Sequence, residues 1–179
     1  MQNLDPAVGA KVIELIKEKE HQGFSFEAAE ASVALLVRRI TPGYQPLFTL
    51  LDYRGMVSRH GDRSMAEATI KLSIGGHEIH TAAEGNGPVN AFDQALRKAL
   101  QPLFPHLKDI SLADYKVRIL NSNLGTAAIS RVLIDWHDGV RRWSTVGAGS
   151  NFLDATWLAL ADGYEYSLSA QPQLAAAKA

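Results

Sequence analysis

Two short glycine-bearing turns have the residue types and spacing to do chemistry: EGNGPVNA, Glu84 to Ala91, and GAGSNFLDA, Gly147 to Ala155. Each leads into a helical pattern. The amides of a helix's first turn have no partners within the helix and carry the positive end of its dipole, so a carboxylate or phosphate can sit there. When the first turn is slid forward by 64 positions, Gly87 meets Asn151 and Asn90 meets Asp154. Each helix therefore opens on a capping-type residue with a short polar residue three positions later. The plainer reading of either segment is a tight turn and cap, the commoner use of glycine before a helix.

Other candidates are weaker. His77 and His80 in GHEIH sit three apart on an alternating stretch, where such positions point to opposite faces of a strand, so the pair does not chelate one metal ion. His60, His106 and His137 fall near turns and read as exposed polar residues. The carboxylates are scattered, without a pair spaced for shared acid and base work. GAGSNF comes nearest to a nucleophile elbow and lacks its final glycine. Trp136, Trp143 and Trp157, one in each of three successive elements, read as core or interface. With no cysteine in the chain, disulfide and thiol chemistry is excluded.

The elements that position the turns are themselves repeated. Ala66 to Arg97, slid by 64, lies over Ser130 to Ala161 without a gap, and seven of the 32 pairs are identical: Ile70/Ile134, Gly75/Gly139, Thr81/Thr145, Gly85/Gly149, Ala91/Ala155, Ala95/Ala159 and Leu96/Leu160. Ordinary composition gives about two. In AEATIKLSI, Ala66, Ala68, Ile70, Leu72 and Ile74 share one face of a strand, which predicts one buried and one wet side. Gly75-Gly76 turns the chain into HEIHTAA, and a helix follows with Val89, Phe92, Leu96, Ala99 and Leu103 on one side. A weaker strand, about 47–53, precedes them. The second copy has YKVRI, a strand at about 128–137, a turn at Asp138-Gly139, the strand RRWSTVG and a helix from Phe152 to about Asp162. The predicted fold class is α+β: two βββα units, each a three-stranded antiparallel sheet with a helix, at about 44–106 and 107–170.

A two-helix segment, 1–43, precedes this 44–179 domain. Asp5 before Pro6 predicts a capped helix start, Val8, Val12, Leu15 and Ile16 form its stripe, and Gly23 ends it. A second helix is predicted from Ser25, with Ala29, Val33, Leu36 and Ile40 at near-helical spacing and Thr41-Pro42-Gly43 as the stop. Its stripe needs a surface to bury against. With 18 Lys and Arg against 19 Asp and Glu, net charge −1, the chain has no basic stretch to attract nucleic acid or an anionic membrane. It shows neither a leader-type start nor an apolar run of membrane-spanning length.

GNGPVNAFDQALRKAL, DYKVRIL, NLGTAAISRVLIDW and GAGSNFLDATWLAL, in that order and spacing, resemble the C-terminal allosteric dimerisation domain of the α-isopropylmalate synthase and citramalate synthase family. The resemblance covers about 46–168. EHQGFSFEAAEASVALL is similar to the linker of the citramalate-synthase-like branch. The resemblance implies a non-catalytic, cytoplasmic, homodimeric regulatory piece of an acetyl-CoA-dependent acyltransferase, whose divalent metal and acetyl-CoA belong to a catalytic barrel not in this chain. It implies an isoleucine or leucine effector; the alternative is a purely structural dimerisation domain. Carried over by motif, the effector site comprises Gly85, Asn86, Gly87, Pro88 and Val89; Leu112, Asp114, Tyr115, Ile119 and Ala128; and, pseudo-symmetrically, Gly149, Ser150, Asn151 and Asp154. No catalytic or metal residue is implied. Asn90 and Ala127 stand where the family commonly has Asp.

Overall fold

The computed structural model describes residues 6–169, so the Asp5 cap lies outside the described residues. The element order is α1 (Pro6–His21), α2 (Glu30–Arg39), β1 (Thr49–His60), β2 (Arg63–Ile74), β3 (His77–Gly85), α3 (Pro88–Leu100), β4 (Ser111–Leu120), β5 (Ile129–His137), β6 (Arg142–Gly149) and α4 (Phe152–Ser169). Two three-stranded antiparallel sheets, β1-β2-β3 and β4-β5-β6, are each followed by a helix, and the chain is α+β as the repeat predicted. It divides into two compact units: residues 45–110, and residues up to 44 together with those from 111 onward.

In the first unit, β2 buries Ala66, Ala68, Ile70, Leu72 and Ile74, as its alternation predicted. Gly75 and Gly76, at φ 58° and 83°, make the β2–β3 turn in a conformation L-residues avoid. α3 lays Phe92, Ala95, Leu96, Ala99 and Leu100 on the buried face. Arg97 joins Asp93 at 2.8 Å and donates to the carbonyls of Leu107 and Ile110, tying the chain after α3 back onto the helix. β1 is longer than the predicted 47–53, running to His60, because each added residue finds a ladder partner on β2, out to His60 opposite Arg63.

The repeat identities have a common physical basis. Thr81, opposite Ile70, donates its hydroxyl to the Ala95 carbonyl at 2.8 Å; Thr145, opposite Ile134, donates to the Ala159 carbonyl at 2.8 Å. In each unit a hydroxyl on the third strand pins the helix in one register.

The second unit also holds the helical segment. α1 stops at His21, the chain leaves it through Gly23 at φ 101°, and α2 begins at Glu30 rather than Ser25. Phe24 and Phe26, stacked with centroids 5.9 Å apart, pack with Ala29 on Ile129, Leu133, Val146 and Ala148, the sheet face opposite α4. That packing outweighs the helical propensity of FEAA. The buried stripe of α2 is Ala31, Ser32 and Leu35, rotated from the expected one. α4 continues to Ser169, past the expected end near Asp162. Gly163 there is no helix stop: a Cβ would lie 2.1 Å from the Trp136 ring.

Candidate functional site

The first turn is built by close approach. A Cβ on Gly85 would lie 2.5 Å from the Ala91 amide nitrogen, so only glycine lets β3 end against the start of α3. Asn90 reaches back with Oδ1 to accept from the Asn86 amide at 3.3 Å. Gly87 is the N-cap, in extended backbone with nothing within 4 Å of where a Cβ would stand; Pro88 takes the first helical position and Val89 is half-buried. No acidic residue lies in the first turn of α3.

The second turn differs. Asn151 caps α4 by accepting from the Leu153 amide at 2.8 Å, and its carbonyl accepts from Ala155 at 3.1 Å. Gly149 has ordinary clearance; the close approach falls instead at Gly147, where a Cβ would meet the Ala155 carbonyl at 2.0 Å. Ser150 is exposed, and exposed Asp154 already places a carboxylate in the first turn. An incoming anion finds less favourable charge here than at α3.

The remaining candidates line β4 and β5 of the second unit. A bulge between Leu112 and Asp114 turns Tyr115 toward α4, where its hydroxyl meets Thr156 Oγ1 at 2.9 Å. Burial pushes the Tyr115 phenol above its ordinary pKa, against the pull of Thr156. Asp114 stays outside, accepting from Lys116 at 2.7 Å and from the Tyr115 amide at 2.8 Å, and these bonds, Lys116's foremost, hold its carboxyl below the usual range. Val117 and Ile119 share the Tyr115 side of β4 and are 42% and 55% exposed, while Ala128, just before β5, is buried on that side. The arrangement is an apolar wall beside α4, with one phenol anchored at its inner end.

Sequence reasoning missed Val117, Thr156 and a second Leu-x-Asp-Tyr bulge. Leu50, Asp52 and Tyr53 form the same bulge on β1 as Leu112, Asp114 and Tyr115 on β4, at an offset of 62 rather than 64. The two-residue change hides it: a turn at Gly61-Asp62 joins β1 to β2, whereas a 3₁₀ segment, Ser122–Ala127, lies between β4 and β5. Where Tyr115 meets Thr156, Tyr53 meets Phe92, edge to face at 5.0 Å. Phe92 is fully buried and fills the place that Thr156 takes in the second unit.

Among the described residues, no three His, Cys, Asp or Glu side chains are grouped to hold a metal ion, and no helix is long and apolar enough to cross a membrane. Residues 27–168 match the family model of the LeuA allosteric (dimerisation) domain. The chain belongs to that family. It is 48% identical over 160 residues to an (R)-citramalate synthase of Aquifex aeolicus, covering 88% of this chain and 30% of that protein. With the (R)-citramalate synthase of Geobacter sulfurreducens it shares 46% over 180 residues, 99% of this chain and 34% of the relative. The 2-isopropylmalate synthase of Aquifex aeolicus is 31% identical over 126 residues, 66% of this chain and 22% of that protein. Within one organism the citramalate synthase is the nearer relative. The chain spans about a third of the length of the citramalate synthases it matches.

Proposed function

We propose that the chain is the amino-acid-sensing, homodimeric regulatory module of a cytoplasmic citramalate-synthase-type acyltransferase. In this reading the acetyl-CoA and 2-oxo acid chemistry, with its metal, belongs to a catalytic barrel elsewhere in the protein, and the module itself has no turnover. Isoleucine or leucine is the effector. The observation that carries the reading is the apolar wall of Tyr115, Val117 and Ile119, left open beside α4 in a family described as allosteric. Burying a branched side chain on such a wall is worth about 2–3 kcal/mol. A carboxylate at a helix opening adds about 0.3–2 kcal/mol from the dipole, and more with direct amide bonds. Micromolar binding needs about 8 kcal/mol, so carboxylate and side chain are both required, and amides or esters of the effector bind weakly.

Two features are candidates for effector contact, one in each unit, and each is tested by itself. Tyr115→Ala removes apolar contact from the wall. Gly87→Val crowds the α3 amides at a position whose extended φ of −171° and open surroundings accept a side chain. Calorimetric titration with isoleucine and leucine is the measurement: loss of binding in either variant assigns that feature, and parent-like binding in both rejects the site. Asn90 and Ala127, in place of the family's common carboxylates, favour the second reading, a dimerisation domain without effector. Absence of heat with either amino acid, together with a dimer mass by light scattering, selects it.

A further inference from the structure

The face of the second sheet turned away from α4 carries a cavity of about 380 Å³, roofed by the turn that leads from Gly23 into α2. Its walls include Ala28 and Leu133, with Glu27 at the roof and Lys116, Arg118 and Arg131 along the strands. The cations are not equivalent. Lys116 is neutralised by Asp114 at 2.7 Å and Asp135 at 3.3 Å. Arg131 is spent on the roof, donating through Nε to the Gly23 carbonyl at 2.5 Å and through Nη2 to that of Phe24 at 3.2 Å. Arg118 has no acceptor and no ion-pair partner among the described residues, yet it is the direct cross-strand neighbour of Arg131. Like charges placed opposite each other on a sheet repel. That repulsion lowers the Arg131 pKa, second only to burial. Val117 apart, none of this belongs to the wall beside α4, because residues 116 and 118 point to the opposite face from Tyr115 and Ile119.

We propose that this cavity is a second ligand site, for a small aliphatic monocarboxylate without an ammonium group, held by Arg118 and covered by the turn into α2. The guanidinium fork matches a carboxylate and offsets the Arg118–Arg131 repulsion. Ala28 and Leu133 receive the aliphatic body, and the volume is within the range of small-molecule sites. An ammonium group would meet the two arginines, and a phosphate dianion would meet Glu27. Arg131 grips the backbone of the roof, so occupancy favours the helical segment docked on the sheet, and by linkage docking favours occupancy.

The test is NMR titration of the 179-residue chain with isovalerate, with inorganic phosphate at matched ionic strength as a second probe. Saturable shifts at the amides of residues 25–28 and 116–118 are expected with isovalerate. Arg118→Gln, an exposed substitution that removes a repulsion, is expected to weaken binding about tenfold or more, and Glu27→Gln to tighten it. The response to isoleucine is expected to be unchanged by either variant, and the isovalerate result reads the same whether or not isoleucine binds. Unaltered isovalerate affinity in Arg118→Gln, equal shifts with phosphate, or no saturable shift at these amides would overturn the assignment.

Discussion

The two units share a plan and differ in what covers it. In the first, β3 turns Glu78, His80, Ala82 and Glu84 outward, and that sheet face, with Met56 and Met65, is open in the chain. In the second, the equivalent strand β6 buries Val146 and Ala148 on the same outward side, under Phe24, Phe26 and Ala29. A duplicated sheet is thus half-covered in one copy and sandwiched in the other. The turns, the threonine pins and the tyrosine bulges come from duplication; the second layer comes from the helical segment that precedes both copies.

The segment is fastened to α4 by a largely buried polar cluster. Arg39 pairs with Asp162 at 2.7 Å and Glu165 at 2.5 Å, Tyr44 donates to Glu165, and Ser32 donates to Asp162 at 2.7 Å. Burial works against the Arg39 charge, but Asp162 and Glu165 outweigh it and raise its pKa; burial also pushes the Asp162 carboxyl up, against Arg39 and Ser32.

The largest expected effect tests the packing of the second unit. Gly163→Ala should cost about 3 kcal/mol or more, since the new methyl meets the Trp136 ring, which stacks on Trp143 and is held edge-on by Tyr164. The equivalent residue of the first unit is already Ala99, buried without such a ring. Chemical denaturation reads the loss, and a cost below about 1 kcal/mol would show that Trp136 can move aside.

Arg39→Ala should cost about 2–3 kcal/mol, less than a fully buried pair because the arginine side chain is 35% exposed. Hydrogen exchange should then quicken in α2 and α4 and leave α3 unchanged. A uniform rise across both units would mean that the clasp stabilises the whole molecule rather than the second layer.

The threonine pins sharpen the comparison further. Thr81→Val removes one hydroxyl bond and should cost about 1 kcal/mol; Thr145→Val also strands the Trp136 Nε1–H, which donates to Thr145 at 2.9 Å, and should cost about 2 kcal/mol. Equal losses would make the extra bond energetically idle.

The smallest effect lies in the hairpin turns. The amides of Arg141 and Val140 and the Arg141 guanidinium hold the Asp138 carboxyl at about 2, whereas the Gly75-Gly76 turn of the first unit has nothing to titrate. A depressed pKa contributes stability above the unfolded value near 4 and loses it as pH falls toward 2. Asp138→Asn should remove that part of the acid dependence, at most about 1 kcal/mol because its Arg141 partner is exposed to solvent. Denaturation midpoints at pH 2.5 and pH 6 measure it.

These contrasts also mark what could be read from sequence. The βββα order, the β2 core face and both glycine turns were legible because alternation, glycine and offset 64 are local signals. The start of α2 was not, since Phe24 and Phe26 are pulled out of helix by a sheet more than a hundred residues away. The end of α4 was missed because Asp162-Gly163 looks like a stop until Arg39 and Trp136 are seen to need both residues. Of the candidate site, Leu112, Asp114 and Tyr115 came from a motif, whereas Thr156 became visible only when its hydroxyl met Tyr115 across the fold.

One feature of the second layer bears on solubility. β6 is the edge of its sheet, and α2 closes part of that edge: the Ser144 amide donates to the Glu30 carboxylate at 2.9 Å and the Val146 amide to Ser32 Oγ at 3.1 Å. Trp143 to Gly149 carries no charge, so with these donors uncapped it would be an apolar strand free to pair with its own kind. The helical segment is a stopper as well as a cover, and a chain trimmed to the two repeats alone would trade a finished sheet for a growing one.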